Sequence, residues 1–330
     1  MIRTEASPEI GMGHLMRCLS LAKMLKQDFE ISFLLNRHVP KIDEIISAEG
    51  IKCNYLNGEE NNADSFYESS DAIVLDGYGF GTEIQEYIKQ KNKILVFIDD
   101  LHEQHFYADA VINVSDSVTE KEYTAEPNTK FYLGSEYALL RSEFIEAAKK
   151  PARKITSVKR ICISMGGADV NNITLKILKS IQHISSIEEV HVIIGAVNPH
   201  EKELQERAGK INLHRNINAK KMVGILNECE LMICPASGTS MEAAAVGIGM
   251  VSGTTANNQL GILGGLVKKK CVINAGDLNS ISAEEISALI EKCIKEPRLI
   301  NDMIGVQKKM IDGLSPERIN RAFKQLINAN

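Results

Sequence analysis

The sequence has no block of basic residues, since its 38 lysines and arginines are spread among 43 aspartates and glutamates for a formal net charge of -5. Nucleic-acid binding, which rests on a concentrated positive footprint, is therefore not expected. The longest apolar stretches are strand-sized, and the opening residues MIRTEASPEIG have no basic segment followed by an apolar one. Neither a membrane partner nor export is expected from such a pattern. No C-x-x-C pair occurs: the seven cysteines (Cys18, Cys53, Cys162, Cys229, Cys234, Cys271, Cys293) are scattered and odd in number. That argues against a complete disulfide framework and for a reducing cytoplasm. A Walker A sequence, internal repeats and low-complexity tracts are also absent.

What is present is an α/β pattern. A length of 330 residues, 44% of them apolar and 25% charged, suits two globular domains. Short β-branched runs alternate with amphipathic segments, as in parallel sheets with crossover helices. Strands are expected at 31–35, 72–76, 94–99 and 109–114, and again at 161–164, 190–194, 231–234 and 271–274. Pro151, among basic and small residues, marks a linker near 149–157 and so domains of 1–150 and 157–330. Ser282 and Glu285 form a capping box, and Ser315-Pro316 reads as the start of a last helix.

Three clusters carry candidate chemistry. In the first, Gly11, Met12, Gly13 and His14 precede an apolar face of Leu15, Leu19, Ala22 and Leu25. His14 thus falls in a first helical turn, where a neutral, proton-accepting ring is favoured and glycines leave room for a ligand. A histidine merely packed at the turn is the alternative. With Met16 in place of the third glycine the segment is not a dinucleotide fingerprint. The second cluster, Ser164-Met165-Gly166-Gly167-Ala168-Asp169, follows a strand and offers backbone N–H groups to a phosphate, or simply makes a tight turn. The third runs from Pro235 to Glu242. Ser237, Gly238 and Thr239 open a helix that suits a diphosphate or needs only an N-cap, while Glu242 suits ribose hydroxyls. Asn258 and Gln259 add amides after a further strand. Strand ends also carry Asp76-Gly77-Tyr78-Gly79 and Asp99-Asp100, where ligands of open α/β sheets bind. His102 and His105 beside Asp99 invite a metal reading, but two histidines three apart in a loop have no defined common face.

Together, R-x-E-A-S-x-x-I-G-x-G-H-x-x-R-C, D-G-Y-G, F-I-D-D, Y-A-L-L-R-x-E-F, S-M-G-G-A-D and S-G-T-x-x-E-A-A followed by N-Q resemble one family over most of the chain. It is the UDP-2,4-diacetamido-2,4,6-trideoxy-β-L-altropyranose hydrolase family of pseudaminic acid biosynthesis, with relatives in spore-coat polysaccharide synthesis. The resemblance implies a GT-B-like fold, two Rossmann-like parallel-sheet domains facing across a cleft. It implies His14 as general base, no metal or other cofactor, and a UDP-sugar substrate. The second domain would hold UDP through Gly166, Gly167, Ser237, Gly238, Thr239, Glu242, Asn258 and Gln259. Arg3, Glu5, Gly13, Arg17, Tyr78 and Asp99 would lie on the sugar side. Two departures stand out: Glu5 occupies a position usually held by Asp, and only two residues precede Arg3 where the family has a full first strand.

In the expected reaction His14 takes a proton from water as its oxygen attacks the anomeric carbon and UDP leaves from the opposite face, with inversion. A GT-B glycosyltransferase, using an acceptor hydroxyl in place of water, is the alternative enzyme. A catalytically silent nucleotide-sugar-binding protein is the alternative outside catalysis.

Overall fold

Aliphatic and β-branched runs buried on both faces make the strands, because a parallel sheet covered by helices leaves neither face to water. The computed structural model describes residues 1–5, 12–58, 63–167, 169–195, 198–205 and 211–328. They divide into two α/β units, Met1–Leu139 with Leu314–Asn330, and Leu140–Gly313.

The first unit contains β1 (Ile2–Thr4), β2 (Ser32–Leu35), β3 (Lys52–Tyr55), β4 (Ala72–Asp76), β5 (Ile94–Ile98), β6 (His105–Phe106), β7 (Ala110–Asn113), β8 (Thr124–Ala125) and β9 (Lys130–Leu133). Seven of them form one parallel sheet in the order β3-β2-β1-β4-β5-β7-β9, with β6 and β8 paired separately. Although β1 has only three residues, it lies between β2 and β4, with Ile2 opposite Phe33 and Val74. The strand order reverses at β1, so the crevice beyond the carboxyl ends of β1 and β4 is the topological switch point.

Helix Gly13–Leu25 buries Leu15, Leu19, Ala22 and Leu25 as its spacing predicts. The last helix, Ser315–Asn328, returns to this unit and adds Ile319, Phe323 and Leu326 to the same core. Each such side chain contributes about 1.5–3 kcal/mol of burial free energy. The expected domain 157–330 therefore gives up its final helix to the first unit.

The second unit holds β10 (Arg160–Ser164), β11 (Glu189–Ile194), β12 (Ile211–Arg215), β13 (Leu231–Pro235), β14 (Gly249–Thr254) and β15 (Ile273–Asp277). They form a parallel sheet ordered β12-β11-β10-β13-β14-β15, with its switch point between β10 and β13. The segment 149–157 is not a free linker. Helix Ser142–Ala148 before it buries Phe144, Ile145, Ala147 and Ala148, and the Arg153 guanidinium donates to the carbonyls of Leu226, Asn227, Cys229 and Gly247. Those bonds satisfy helix C-terminal carbonyls, and the units accordingly divide at Leu139/Leu140. The Ser282–Glu285 capping box is formed, and the seven cysteines are free thiols. Among the described residues no helix is long and apolar enough to cross a membrane.

Candidate functional site

In the first unit the strand ends at the switch point converge on the start of helix Gly13–Leu25. A cavity of about 200 Å³ there is lined by His14, Arg17, Gly77, Tyr78, Asp99 and Asp100, among others. His14 is buried, and its Nδ1 lies 2.7 Å from Oδ1 of Asp76, the last residue of β4. Arg17, one turn on, donates through Nε to Asp76 Oδ2 at 2.7 Å and through Nη2 to Oδ1 at 2.5 Å. Its Nη1 reaches both oxygens of Asp100 at 2.8 Å.

The Asp76 carboxylate is fully buried, which alone would favour its neutral form. The Arg17 charge and hydrogen bonds from Arg17 and His14 outweigh burial and hold its pKa at about 2. Arg17 likewise stays protonated despite burial, because Asp100 and Asp76 flank it. An acceptor that stays ionised at neutral pH and lies 2.7 Å away assigns the proton to His14 Nδ1, although Arg17 Nη2 also lies 3.1 Å from that atom. In the neutral tautomer that carries this proton, the ring lone pair is on Nε2. Tyr78, half exposed, sets its ring edge-on to the imidazole at 4.7 Å and donates to Asp100 at 3.1 Å. The Cys18 thiol donates to Asp76 at 3.1 Å, and burial and that carboxylate push its pKa well up, so it stays a thiol.

Glu5 folds over the Gly77-Tyr78-Gly79 turn. A Cβ on Gly77 would lie 2.6 Å from Glu5 Cγ and Oε2, and one on Gly79 would collide with Oε1. The two glycines of D-G-Y-G thus make room for the longer acidic side chain. Arg3 behaves differently from its expected role. It is buried within the unit, hydrogen-bonded to the Tyr67 hydroxyl and set over the Phe80 ring at 5.1 Å, and it does not line the cavity. Asp99 lines the cavity, yet its oxygens accept from Tyr123 at 2.8 Å and from the backbone N–H groups of Leu101 and His102. Burial is the main reason its pKa is raised. Gly13 opens the helix, and among the described residues nothing lies near its missing side chain, whereas Gly11 lies outside the described residues.

His102 and His105 do not share a site: His102 packs on Tyr123, while His105 packs on Tyr107 and meets Glu126 at 2.9 Å. Among the described residues no group of three or more His, Cys, Asp or Glu side chains is arranged to hold a metal ion.

In the second unit both predicted turns sit at the carboxyl ends of β10 and β13, flanking its switch point. Gly166 has φ +81°, a conformation that favours glycine. Gly167 supports the end of β11 so closely that a Cβ on Gly195 would lie 2.5 Å from its Cα. The helix that follows, Ile173–Ile181, is capped from within, since Asp169 accepts from the N–H groups of Ile173 and Thr174 at 2.8 and 3.0 Å. Its start already holds an anion. Helix Gly238–Val246 is different: among the described residues it is capped by the neutral hydroxyls of Ser237 and Ser240, and its first turn has no acidic residue. Thr239 donates its N–H to the Ser237 hydroxyl. Gln259 folds back onto Thr255, its Oε1 accepting that N–H at 2.7 Å. Asn258 stands beside it, half-buried in the short turn before helix Leu260–Lys268.

Glu242 is held by both oxygens: Arg141 donates through Nε at 2.7 Å and through Nη2 at 2.8 Å. Burial raises the pKa of the Glu242 carboxyl, and the hydrogen bonds and charge of Arg141 offset only part of that rise. The structure thus groups His14, Arg17, Tyr78, Asp99 and Glu5 in one unit, and the glycine and hydroxyl turns with Glu242 in the other. Roles for Asp76, Asp100 and Arg141 escape the sequence reading. The first two are visible only as strand-end carboxylates, and Arg141 only as the arginine of Y-A-L-L-R-x-E-F.

No family model matches the sequence. The chain is 29% identical over 74% of its length to the UDP-2,4-diacetamido-2,4,6-trideoxy-beta-L-altropyranose hydrolase of Campylobacter jejuni, of which the match covers 86%. That similarity agrees with the family resemblance read from the motifs. Over 73% of its length it is 25% identical to the spore coat polysaccharide biosynthesis protein SpsG of Bacillus subtilis, covering 72% of that protein. An uncharacterized protein of Methanocaldococcus jannaschii is 29% identical over 76% of the chain, which spans only 54% of that longer relative. Solved structures alike in fold include MurG of Acinetobacter baumannii, at a TM-score of 0.69 and 11% identity, with 98% of this chain and 99% of that one covered. HepE of Anabaena, crystallised with UDP and glucose, has a TM-score of 0.62 at 10% identity, covering 100% and 99% of the two chains. A glycosyltransferase from Rickettsia africae reaches 0.65 at 12% identity over 99% and 97%. The fold is GT-B-like, built of two Rossmann-like parallel-sheet units.

Proposed function

We propose that this chain hydrolyses a UDP-linked diacetamido-trideoxyhexose at its anomeric carbon, releasing UDP and the free sugar for nonulosonate synthesis. The observation that carries the reading is the 2.7 Å contact between His14 Nδ1 and a carboxylate that Arg17 keeps ionised. It leaves Nε2 as a base beside a cavity at the switch point. The names of the Campylobacter and Bacillus relatives support the choice of substrate class.

In the proposed reaction His14 Nε2 takes a proton from water, the water oxygen forms a bond to the anomeric carbon, and the C–O bond to UDP breaks with its electron pair going to the diphosphate. Asp76 stabilises the imidazolium that forms and keeps the ring in one tautomer. UDP is a good leaving group, so the second unit need only hold its charge, for which the neutral-capped start of helix Gly238–Val246 is suited. Arg17, locked between Asp76 and Asp100, acts by orienting the base. Tyr78, which lines the same cavity, and Glu5, folded over the Gly77-Tyr78-Gly79 turn, are assigned to the sugar.

The test is incubation with UDP-2,4-diacetamido-2,4,6-trideoxy-β-L-altropyranose in ¹⁸O-water, followed by proton NMR and mass spectrometry. UDP release with no acceptor, the opposite anomeric configuration in the first-formed sugar, and ¹⁸O in the sugar are expected. Release that requires an added sugar acceptor would reassign the chain as a glycosyltransferase. UDP binding without turnover would make it a nucleotide-sugar-binding protein.

A further inference from the structure

The residues assigned to the nucleotide pose an electrostatic problem. Gly166, Gly167, Ser237, Gly238, Thr239, Asn258 and Gln259 are neutral, and Glu242 is an anion, whereas the ligand is a diphosphate. A lone carboxylate one turn inside the helix that should receive that charge would repel it. Several cations of this unit are already engaged. Lys176 bonds to the carbonyls of Leu278, Asn279 and Ile281, Lys308 to those of Ala147 and Ala245, Arg153 to four carbonyls, and Arg160 to Glu230.

Arg141 is placed differently. Its Nε–Nη2 edge forms the fork with Glu242, Nη2 also approaches the Met222 sulfur at 3.7 Å, and the guanidinium stacks on Phe144 at 4.9 Å. These contacts fix the plane of the group. Nη1 has no hydrogen-bond partner among the described residues. We infer that Arg141 is a ligand of the nucleotide's diphosphate: paired with Glu242 it removes the repulsion, and through Nη1 it supplies the cationic donor that the predicted set lacks. Glu242 keeps unused lone pairs for the ribose, so the pair reads both halves of a nucleoside diphosphate. The inference rests on the second unit being the UDP site.

Calorimetric titration of UDP and of uridine into wild type, Arg141→Met, Arg141→Lys, Glu242→Gln and the double variant Arg141→Met/Glu242→Gln tests it. Arg141→Met should weaken UDP about 10- to 100-fold, the range for a lost charged hydrogen bond, and leave uridine within about threefold. Arg141→Lys, which keeps the charge without the fork, should recover part of the UDP affinity. Glu242→Gln should weaken both ligands. If Arg141→Met fails to fold, the double variant, with no charge left unpaired, carries the comparison against Glu242→Gln. Equal weakening of UDP and uridine would reduce Arg141 to a prop for Glu242 and overturn the inference, as would unchanged UDP affinity. Wild-type protein that binds no UDP would overturn the site reading itself, and Arg141 with it.

Discussion

Replacing Asp76 by Asn keeps the shape at the end of β4 and removes one charge. The amide can still meet His14 Nδ1, but either its oxygen or its NH₂ can do so, and the tautomer is no longer fixed. The imidazolium formed on proton transfer also loses its counter-charge. For a buried carboxylate behind a catalytic histidine this costs about two to four orders of magnitude in kcat. Arg17 would keep its bidentate partner Asp100 at 2.8 Å, so the stability loss should sit at the low end of the about 3–5 kcal/mol for breaking a buried ion pair.

Acid titration gives a second signature. The folded-state pKa of Asp76 is depressed to about 2 from an ordinary value near 3.9. Its contribution, about 2–3 kcal/mol, is therefore present above the ordinary value and lost as pH falls through about 2. The stability advantage of wild type over Asp76→Asn should shrink as pH is lowered from 4 to 2. Steady-state UDP release and denaturant melts across that range check both effects. A folded Asp76→Asn protein that turns over within tenfold of wild type would refute the role given to the carboxylate.

His14→Ala should leave UDP affinity nearly intact by calorimetry and lower turnover by about two to four orders of magnitude; a folded variant within tenfold of wild type would sink the assignment of the base. Glu242→Ala should weaken UDP by about 1.5–3 kcal/mol through the lost charged acceptor, with a further cost from leaving Arg141 unpaired. Calorimetry that finds UDP affinity unchanged would remove Glu242 from the site. Dialysis against EDTA should leave the rate unchanged, because a histidine base and helix N-terminal charge need no Lewis acid. Activity lost to EDTA and restored by one divalent ion would overturn the role of His14 and bring Asp99 and Asp100 forward as ligands.

The architecture was legible because interior strands such as Ala72–Asp76 and Ile94–Ile98 are apolar on both faces, a signal that survives without context. Among the strands that went unread, β3, β9 and β12 are sheet edges whose half-exposed residues dilute the pattern, and β6 and β8 are only two residues long. The candidate base was readable from local chemistry, a histidine just after a glycine turn at a helix start. Its orienting network was not, because Asp76 lies 62 residues from His14 in sequence and Asp100 lies 83 from Arg17. Only the strand order brings them to one crevice. Arg3 was expected on the sugar side only through the family resemblance, and nothing local announces Tyr67 and Phe80 as its partners. The same holds for Arg153, whose basic, proline-flanked surroundings look like a tether until the carbonyls it serves are in view.

The return of helix Ser315–Asn328 to the first unit bears on the order in which the chain acquires structure during synthesis. Leu15, Leu19 and Leu25 emerge early, but Ile319, Phe323 and Leu326, which complete the same core, follow only after residues 140–313 have been made. At about 5–20 residues per second, the nascent first unit waits on the order of tens of seconds with that part of its apolar surface uncovered. The second unit, continuous in sequence, has no such dependence and can close as soon as its own strands are out. The unit carrying the candidate base is therefore completed only after residues 140–313 have been made, and for that interval the part of its core that the last helix covers stays open to chaperones and proteases.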